Sequence, residues 1–263
     1  MRVAAFQLDA TLGSPKARFA EIEACMARAA GADLAVFPEL AVTGYGAGPL
    51  IAEGTTAPDE ALAPLQSLVE RHGTAMVIGL AFREAAGKAV NSAAILRPGA
   101  ESALYAKRML YGDYAKDLFE AGRAEPPIVD IGGLACGVLV CFDVEFPELV
   151  RSLALRGAAA VIVPTALPRS PGARFIAEHL VPVRAFENQV FLVYADHCGT
   201  DSRFAYQGLS SIVAPDGSLL AAASDTEAAM LVAELNLSAY ADCRAQNPYL
   251  EELRRAGLAP KCD

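Results

Sequence analysis

The sequence predicts an α/β protein in which two mixed sheets carry helices on their outer faces. Three observations predict it. Apolar strand-like runs alternate with amphipathic helical runs along the whole chain. Several neighbouring strands are joined by links of hairpin length, which a purely parallel, doubly wound sheet does not contain. Finally, 54% of the 263 residues are hydrophobic, enough for a large core. No linker, repeat or low-complexity tract divides the chain, so 1–263 reads as a single domain.

The elements follow in order. Arg2–Leu8 is a buried strand. Pro15–Ala30 is a helix, with Ser14 as N-cap, Phe19, Ile22 and Met26 at helical spacing, and Gly31 as its stop. Residues 33–37 form the next strand, ending at Pro38. A helix over Glu60–Arg71 turns Leu62, Leu65 and Val69 inward, and Gly73 ends it. A strand covers Ala75–Ala81. Residues 89–97 and 102–107 pair across the Pro98-Gly99 turn. The polar, aromatic stretch Arg108–Pro127 reads as a long functional loop. Residues 128–131 and 134–140 form a hairpin across Gly132-Gly133. Then come a helix over Glu145–Arg156, a strand over 159–163, a helix over Arg174–Gln189 and a strand over 190–195. A hairpin joins residues 208–214 and 219–223 across Pro215-Asp216-Gly217. Met230–Leu235 is the last strand before a helical tail.

Composition bounds the function. The net charge of −9 disfavours nucleic acid and anionic membrane surfaces as partners. The opening MRVAAFQLDA is too short an apolar run for a signal peptide, and no stretch reaches membrane-spanning length. The expectation is a cytoplasmic protein. Its six cysteines (Cys25, Cys136, Cys141, Cys198, Cys243, Cys262) show no CxxC or tight spacing, which points to free thiols. The three histidines are scattered, so no metal site is expected.

Three strands empty into complementary chemistry. Val138-Leu-Val runs into Cys141 shortly before a helix, a setting whose backbone amides and dipole favour thiolate; the Phe142 amide is placed to donate to an oxyanion. Leu34-Ala-Val-Phe-Pro runs into Glu39, a carboxylate among apolar neighbours and a candidate base. Leu104-Tyr-Ala runs into Lys107, an ammonium able to hold a thiolate or an oxyanion. Each alone has a bland alternative: a core cysteine, a loop glutamate, a solvated strand-end lysine. The ends of strands are where α/β folds gather active sites, and the three together make a coherent set.

The order FPE, YAKR, VCFDVEFPE resembles the nitrilase superfamily of carbon–nitrogen hydrolases. The likeness extends to TGY after Glu39, Asn91-Ser92, Phe119–Gly122, Pro164-Thr165, Arg184-Ala-Phe-Glu-Asn188 and the Ser210–Gly217 hairpin. The resemblance implies a four-layer α-β-β-α sandwich, a homodimer or higher homo-oligomer, a Glu39–Lys107–Cys141 triad, no metal or organic cofactor, and a small amide as substrate. It extends the candidate substrate contacts to Thr165 and Ala166. Short stretches resemble the 5-aminopentanamidase and (R)-amidase branch. On that likeness Glu145 is a candidate site for a substrate ammonium, or a helix-start carboxylate; Tyr45, Tyr111 and Tyr114 are candidate pocket walls, or packing. An N-carbamoyl amino acid hydrolase is an alternative, with Arg169 and Arg174 to receive its carboxylate. One position departs from the superfamily: aligning on Phe119 and Gly122 puts Ala115 where a second acidic residue is common. Asp113 or Glu120 could stand in for it. Otherwise the site would be impaired, and in the limit the chain would only bind a small ligand.

Overall fold

A computed structural model describes residues 1–48, 50–51, 56–83 and 88–259. The first sheet is built on β1 (Arg2–Asp9), β2 (Leu34–Val36) and β3 (Ala75–Phe82), which run parallel; β4 (Ala89–Leu96) and β5 (Ala103–Ala106) add antiparallel. The second is built on β7 (Ile128–Ile131), β8 (Leu134–Val138), β9 (Ala160–Pro164), β10 (Phe191–Ala195), β12 (Ser211–Val213) and β13 (Leu219–Ala222). Its two outer pairs are the hairpins expected from the Gly-Gly and Pro-Asp-Gly turns. The last strand, β14 (Ala229–Glu234), returns antiparallel along β1.

Both faces of each central strand are buried, and side-chain alternation sorts them into layers. From β1, Ala4, Phe6 and Leu8 meet Ile22, Cys25 and Met26 of α1 (Pro15–Arg28) and the Leu62, Leu65, Leu68 and Val69 face of α2 (Pro58–His72). Val3 and Ala5 point the other way, into the core shared with the second sheet. Beyond that sheet lie α4 (Pro147–Leu155), with Val150, Leu153 and Ala154 inward, and α5 (Val181–Asn188), with Val181 and Ala185 inward. The result is an α-β-β-α sandwich of four layers. Ser14 caps α1 as its sequence predicts, accepting from the Ala17 amide at 3.2 Å.

Four local readings need correction. The stretch 108–127 is not all loop: it contains α3 (Gly112–Leu118) and β6 (Phe119–Glu120), which pairs with the start of β4. Its polar composition hides a two-residue apolar seam, Ala115 and Phe119, spaced i,i+4 and both buried. The helix expected from Glu145 is interrupted. Cys141–Glu145 forms a 3₁₀ turn, Phe146 is extended as a residue before proline tends to be, and Pro147 opens α4. The helix expected over 174–189 passes through a π turn at Ile176–Leu180, just before Pro182, which has no N–H to donate to the preceding turn. Lastly, β11 (His197–Cys198), two residues beside β1, was not anticipated.

Among the described residues no helix is long and apolar enough to cross a membrane. The described cysteines are free; Cys262 lies outside the described residues.

Candidate active site

Glu39, Lys107 and Cys141 meet between the sheets. Glu39 is reached by the chain leaving β2 past Phe37, whose amide donates to Val77 of β3 at 2.8 Å. The next turn lies directly on Gly79. A Cβ there would stand 2.4 Å from Glu39 Cα and 2.5 Å from the Leu40 nitrogen, so only glycine lets the Glu39 backbone settle onto β3. Leu40 follows at φ 49°, and the Glu39 amide donates to the Thr165 carbonyl at 3.2 Å. On the other side, His197 Nε2 lies 2.9 Å from the Glu39 carbonyl oxygen. A carbonyl can only accept, so that nitrogen carries the proton.

The side chains form a closed set. Lys107 Nζ donates to Glu39 Oε1 at 2.5 Å, and Asn91 Nδ2 donates to the same oxygen at 2.6 Å. Both members of the ion pair are fully buried. The Lys107 backbone is fixed as firmly: its amide donates to the Asn91 carbonyl and its carbonyl accepts from the Gly122 amide, both at 2.8 Å. Burial is the largest single influence on Lys107 and opposes its charge, but the attractions of Glu39, Cys141, Tyr45 and Asp143 together outweigh it, so its pKa ends above that of a free lysine. Glu39 Oε2 is buried with no hydrogen-bond partner among the described residues, leaving one oxygen of the carboxylate uncommitted.

Cys141 sits at φ 46°, a left-handed conformation that costs a non-glycine residue on the order of 1–3 kcal/mol and marks a constrained position. It is 6% exposed. Its thiol does not rest as the thiolate that its place before a helix suggested. Burial pushes its pKa well above the ordinary value and the Glu39 charge adds to that; Lys107 and the Ala166 amide pull the other way without prevailing. Reaction at this sulfur therefore calls for a base at the moment of attack.

A narrow cavity of about 10 Å³ opens onto the sulfur, lined by Tyr45, Tyr111, Phe142, Glu145, Ala166 and Leu167, among others. That is about the room one water needs, and far below the ~300–1,000 Å³ of pockets for drug-sized ligands. Tyr111 packs edge-on against Phe142 at 5.1 Å between centroids. The Glu145 carboxyl is half-buried, and burial raises its pKa while Lys107 and Arg184 lower it. Arg184 grips the backbone of the Cys141–Glu145 turn, donating to the carbonyls of Val144 at 3.0 Å and Glu145 at 2.8 Å.

Two expected contacts fall elsewhere. Tyr114 stands behind Tyr45, donating its hydroxyl to the Tyr45 carbonyl at 2.6 Å, and does not line the cavity. Thr165 is fully buried and turns its hydroxyl to the Val163 carbonyl; its own carbonyl holds Glu39 instead. Arg169 and Arg174 do not face the cavity either. Both are tied to Asp225, Arg174 at 2.9 Å, which removes the proposed receiver of a substrate carboxylate. Neither Asp113 nor Glu120 replaces the acid absent at Ala115, for both are exposed. Ala115 itself is fully buried, in a hydrophobic cluster that includes Tyr45, Phe119 and Tyr206. The carboxylate that does stand behind Lys107 is Asp143, which sequence reasoning passed over. It is fully buried and accepts from Tyr105 Oη at 3.0 Å, the Met109 amide at 2.8 Å and the Val140 amide at 3.1 Å. An aspartate two residues after a candidate nucleophile was the available signal.

The chain matches the carbon–nitrogen hydrolase family model over residues 2–245. It is 35% identical to a hydrolase encoded in the pqqF 5′ region of Pseudomonas protegens, over 97% of this chain and 89% of that one. It is 31% identical to an (R)-stereoselective amidase of Pseudomonas sp., over 84% of this chain and 80% of that one. Among solved structures it is similar to an amidase from Nesterenkonia sp. AN1, with a TM-score of 0.85, 34% identity, and coverage of 98% of this chain and 100% of that one. Mutants of that amidase have been seen with the acetamide moiety of fluoroacetamide added to the active-site cysteine, and in complex with butyramide.

Proposed function

The chain belongs to the carbon–nitrogen hydrolase family, and we propose on that premise that it hydrolyses short aliphatic amides through a thioester on Cys141. The observation that carries the reading is the fully buried Lys107–Glu39 pair set beside a cysteine at positive φ. Glu39 takes the thiol proton as the sulfur attacks the amide carbon. Lys107 and the Phe142 amide stabilise the oxyanion of the tetrahedral intermediate. Collapse of that intermediate breaks the C–N bond, and ammonia leaves with the proton returned from Glu39. Glu39 then takes a proton from water, whose oxygen attacks the thioester. The carboxylic acid departs and the thiol is restored. Each step moves a proton the carboxylate can hold, because the thiol begins protonated.

The narrowness of the cavity favours a small substrate over a bulky one, and the acetamide adduct and butyramide complex formed by mutants of the Nesterenkonia amidase point the same way. Glu145 supports the finer choice of an amide bearing an amino group, since its carboxyl faces the same cavity as the sulfur. A cytoplasmic homo-oligomer completes the proposal, to be checked by fractionation and sedimentation.

The test is ammonia release from propionamide, 5-aminopentanamide, an N-carbamoyl amino acid and an aliphatic nitrile. Cys141→Ala is expected to abolish release from every amide while remaining folded; turnover in that variant refutes the nucleophile. Glu145→Gln is expected to raise KM for 5-aminopentanamide about tenfold and to leave propionamide within twofold, the loss of one charged hydrogen bond. Equal effects on both amides would show that Glu145 does not read an ammonium.

A further inference from the structure

Asp196 is a buried carboxyl that the proposed reaction does not use. It lies between β10 and β11 and is fully buried. Its own amide donates to Ser210 Oγ at 2.8 Å. Its Oδ1 accepts two backbone amides, from Leu167 at 3.0 Å and from His197 at 2.8 Å. Oδ2 is buried with no hydrogen-bond partner among the described residues. A carboxylate with one bare oxygen in a dry interior is penalised, and burial lifts the Asp196 pKa well above the usual range against the pull of those two amides. That favours the neutral acid, with Oδ1 as its carbonyl oxygen.

The two amides lead to two parts of the catalytic centre. Ala166 and Leu167 line the cavity that opens onto Cys141. The chain enters this wall from Thr165, whose amide donates to the Ala195 carbonyl at 2.8 Å and whose carbonyl accepts from the Glu39 amide at 3.2 Å. It leaves at the Leu167 carbonyl, which accepts from the Gln207 amide at 2.9 Å. Between those ties lies the Ala166–Leu167 peptide. Among the described residues its one hydrogen bond is the one from the Leu167 amide to Asp196. The second amide belongs to His197, whose ring braces the Glu39 carbonyl. One buried oxygen therefore joins the wall beside the nucleophile to the brace behind the base.

We propose that Asp196 is a positioning residue for the reaction at Cys141: it holds the Ala166–Leu167 peptide in place and so keeps the cavity narrow at the sulfur. The inference rests on the reading of Cys141 as the nucleophile. Without the acceptor both amides lose their partner, the peptide is free to turn, and the cavity widens on that side. Asparagine keeps the acceptor, because its side-chain carbonyl stands where Oδ1 does and its NH2 group takes the place of Oδ2. Alanine removes it.

The test compares two alkylating reagents at Cys141, iodoacetamide and its bulkier N-phenyl analogue iodoacetanilide, at a single pH, by mass spectrometry of the labelled peptide. Each forms an S–C bond with the thiolate and expels iodide, so the ratio of the two rates cancels the thiolate fraction and reads the width of the cavity. Wild type is expected to favour the small reagent more strongly than free cysteine does. Asp196→Ala is expected to shrink that preference about tenfold, and Asp196→Asn to restore it. A ratio that is equal in wild type and Asp196→Ala overturns the proposal. So does a wild-type ratio no larger than that of free cysteine, a failure of asparagine to restore it, or a Cys141 that neither reagent labels in Asp196→Ala. Should Asp196→Ala fail to fold, Asp196→Ser, whose oxygen sits one bond closer to the backbone, takes its place with the same outcomes. In an enzyme active on propionamide, kcat/KM should fall about tenfold or more in Asp196→Ala, measured well below its unfolding temperature. A lowered unfolding temperature with turnover and ratio unchanged would mark a merely structural acid and overturn the proposal. Labelling is read whether or not an amide is turned over, so a wild type inactive on every amide but with the expected ratios would fail the amidase reading alone.

Discussion

Replacing Glu39 with glutamine keeps the shape of the side chain and removes its charge, which strands a fully buried ammonium. In the wild-type protein Lys107 has its pKa raised by Glu39. A lysine whose folded pKa lies above the unfolded ~10.4 contributes stability that is complete below that value and is lost only as the pH rises through the folded pKa. Between pH 7 and 10, then, Lys107 gives wild-type stability no slope. In Glu39→Gln the largest attraction is gone while burial, the largest influence of all, remains, which lowers the lysine pKa below ~10.4. The folded variant then binds fewer protons than its unfolded chain, so its stability rises with pH over that interval. Breaking one side of a buried pair costs about 3–5 kcal/mol. At about 1.4 kcal/mol per pH unit, that deficit is recovered across roughly 2–4 units below pH ~10.4. The assay is denaturant unfolding of wild type and variant at pH 7, 8, 9 and 10. The difference is expected to be about 3–5 kcal/mol at pH 7 and to shrink steadily toward pH 10. The double variant Glu39→Gln/Lys107→Met, with both charges removed, is expected to show a smaller and pH-independent difference. A single-variant deficit that stays flat with pH, or is under about 1 kcal/mol at pH 7, would refute the claim that Lys107 is held charged by Glu39.

Three further outcomes follow from the same geometry. Gly79→Ala puts a methyl 2.4–2.6 Å from the backbone of Pro38, Glu39 and Leu40, and should cost about 1–3 kcal/mol in thermal unfolding and more than tenfold in amide turnover; activity within twofold of wild type would mean the Glu39 turn is not set by that contact. Ala115→Glu, which the alignment alone suggests as neutral or beneficial, should lower both stability and turnover, because Ala115 is fully buried in the hydrophobic cluster that includes Tyr45, Phe119 and Tyr206; a gain in turnover measured by ammonia release would show that a second acid is wanted there. Alkylation of Cys141 by iodoacetamide should keep accelerating above pH 9 instead of levelling as a free thiol does, since burial holds this thiol up; a plateau near pH 8, read by mass spectrometry of the labelled peptide, would count against the resting thiol.

What the sequence disclosed, and what it withheld, divides along one physical line. Glu39, Lys107 and Cys141 were legible because each closes an apolar run, and an apolar run ending in a charged or nucleophilic residue is a local pattern. The layers were legible for the same reason, since period 2 and period 3.6 are local. What holds the triad in place is not local. Asn91 comes to Glu39 across 52 positions and His197 across 158, through pairings of β-strands that no short window contains. His197 is isolated along the chain, and its partner is a backbone carbonyl, which has no signature in sequence. Ala115 is the instructive failure. Aligned on a motif it is a missing acid; in the fold it is a buried member of the same hydrophobic cluster as Tyr45, while Asp143 supplies a carboxylate near Lys107 from the other sheet. A motif compares positions one at a time, whereas the charge on Lys107 responds to every carboxylate within reach, whichever strand delivers it. An Ala115 substitution therefore tests packing, and it is Glu39 that tests the charge.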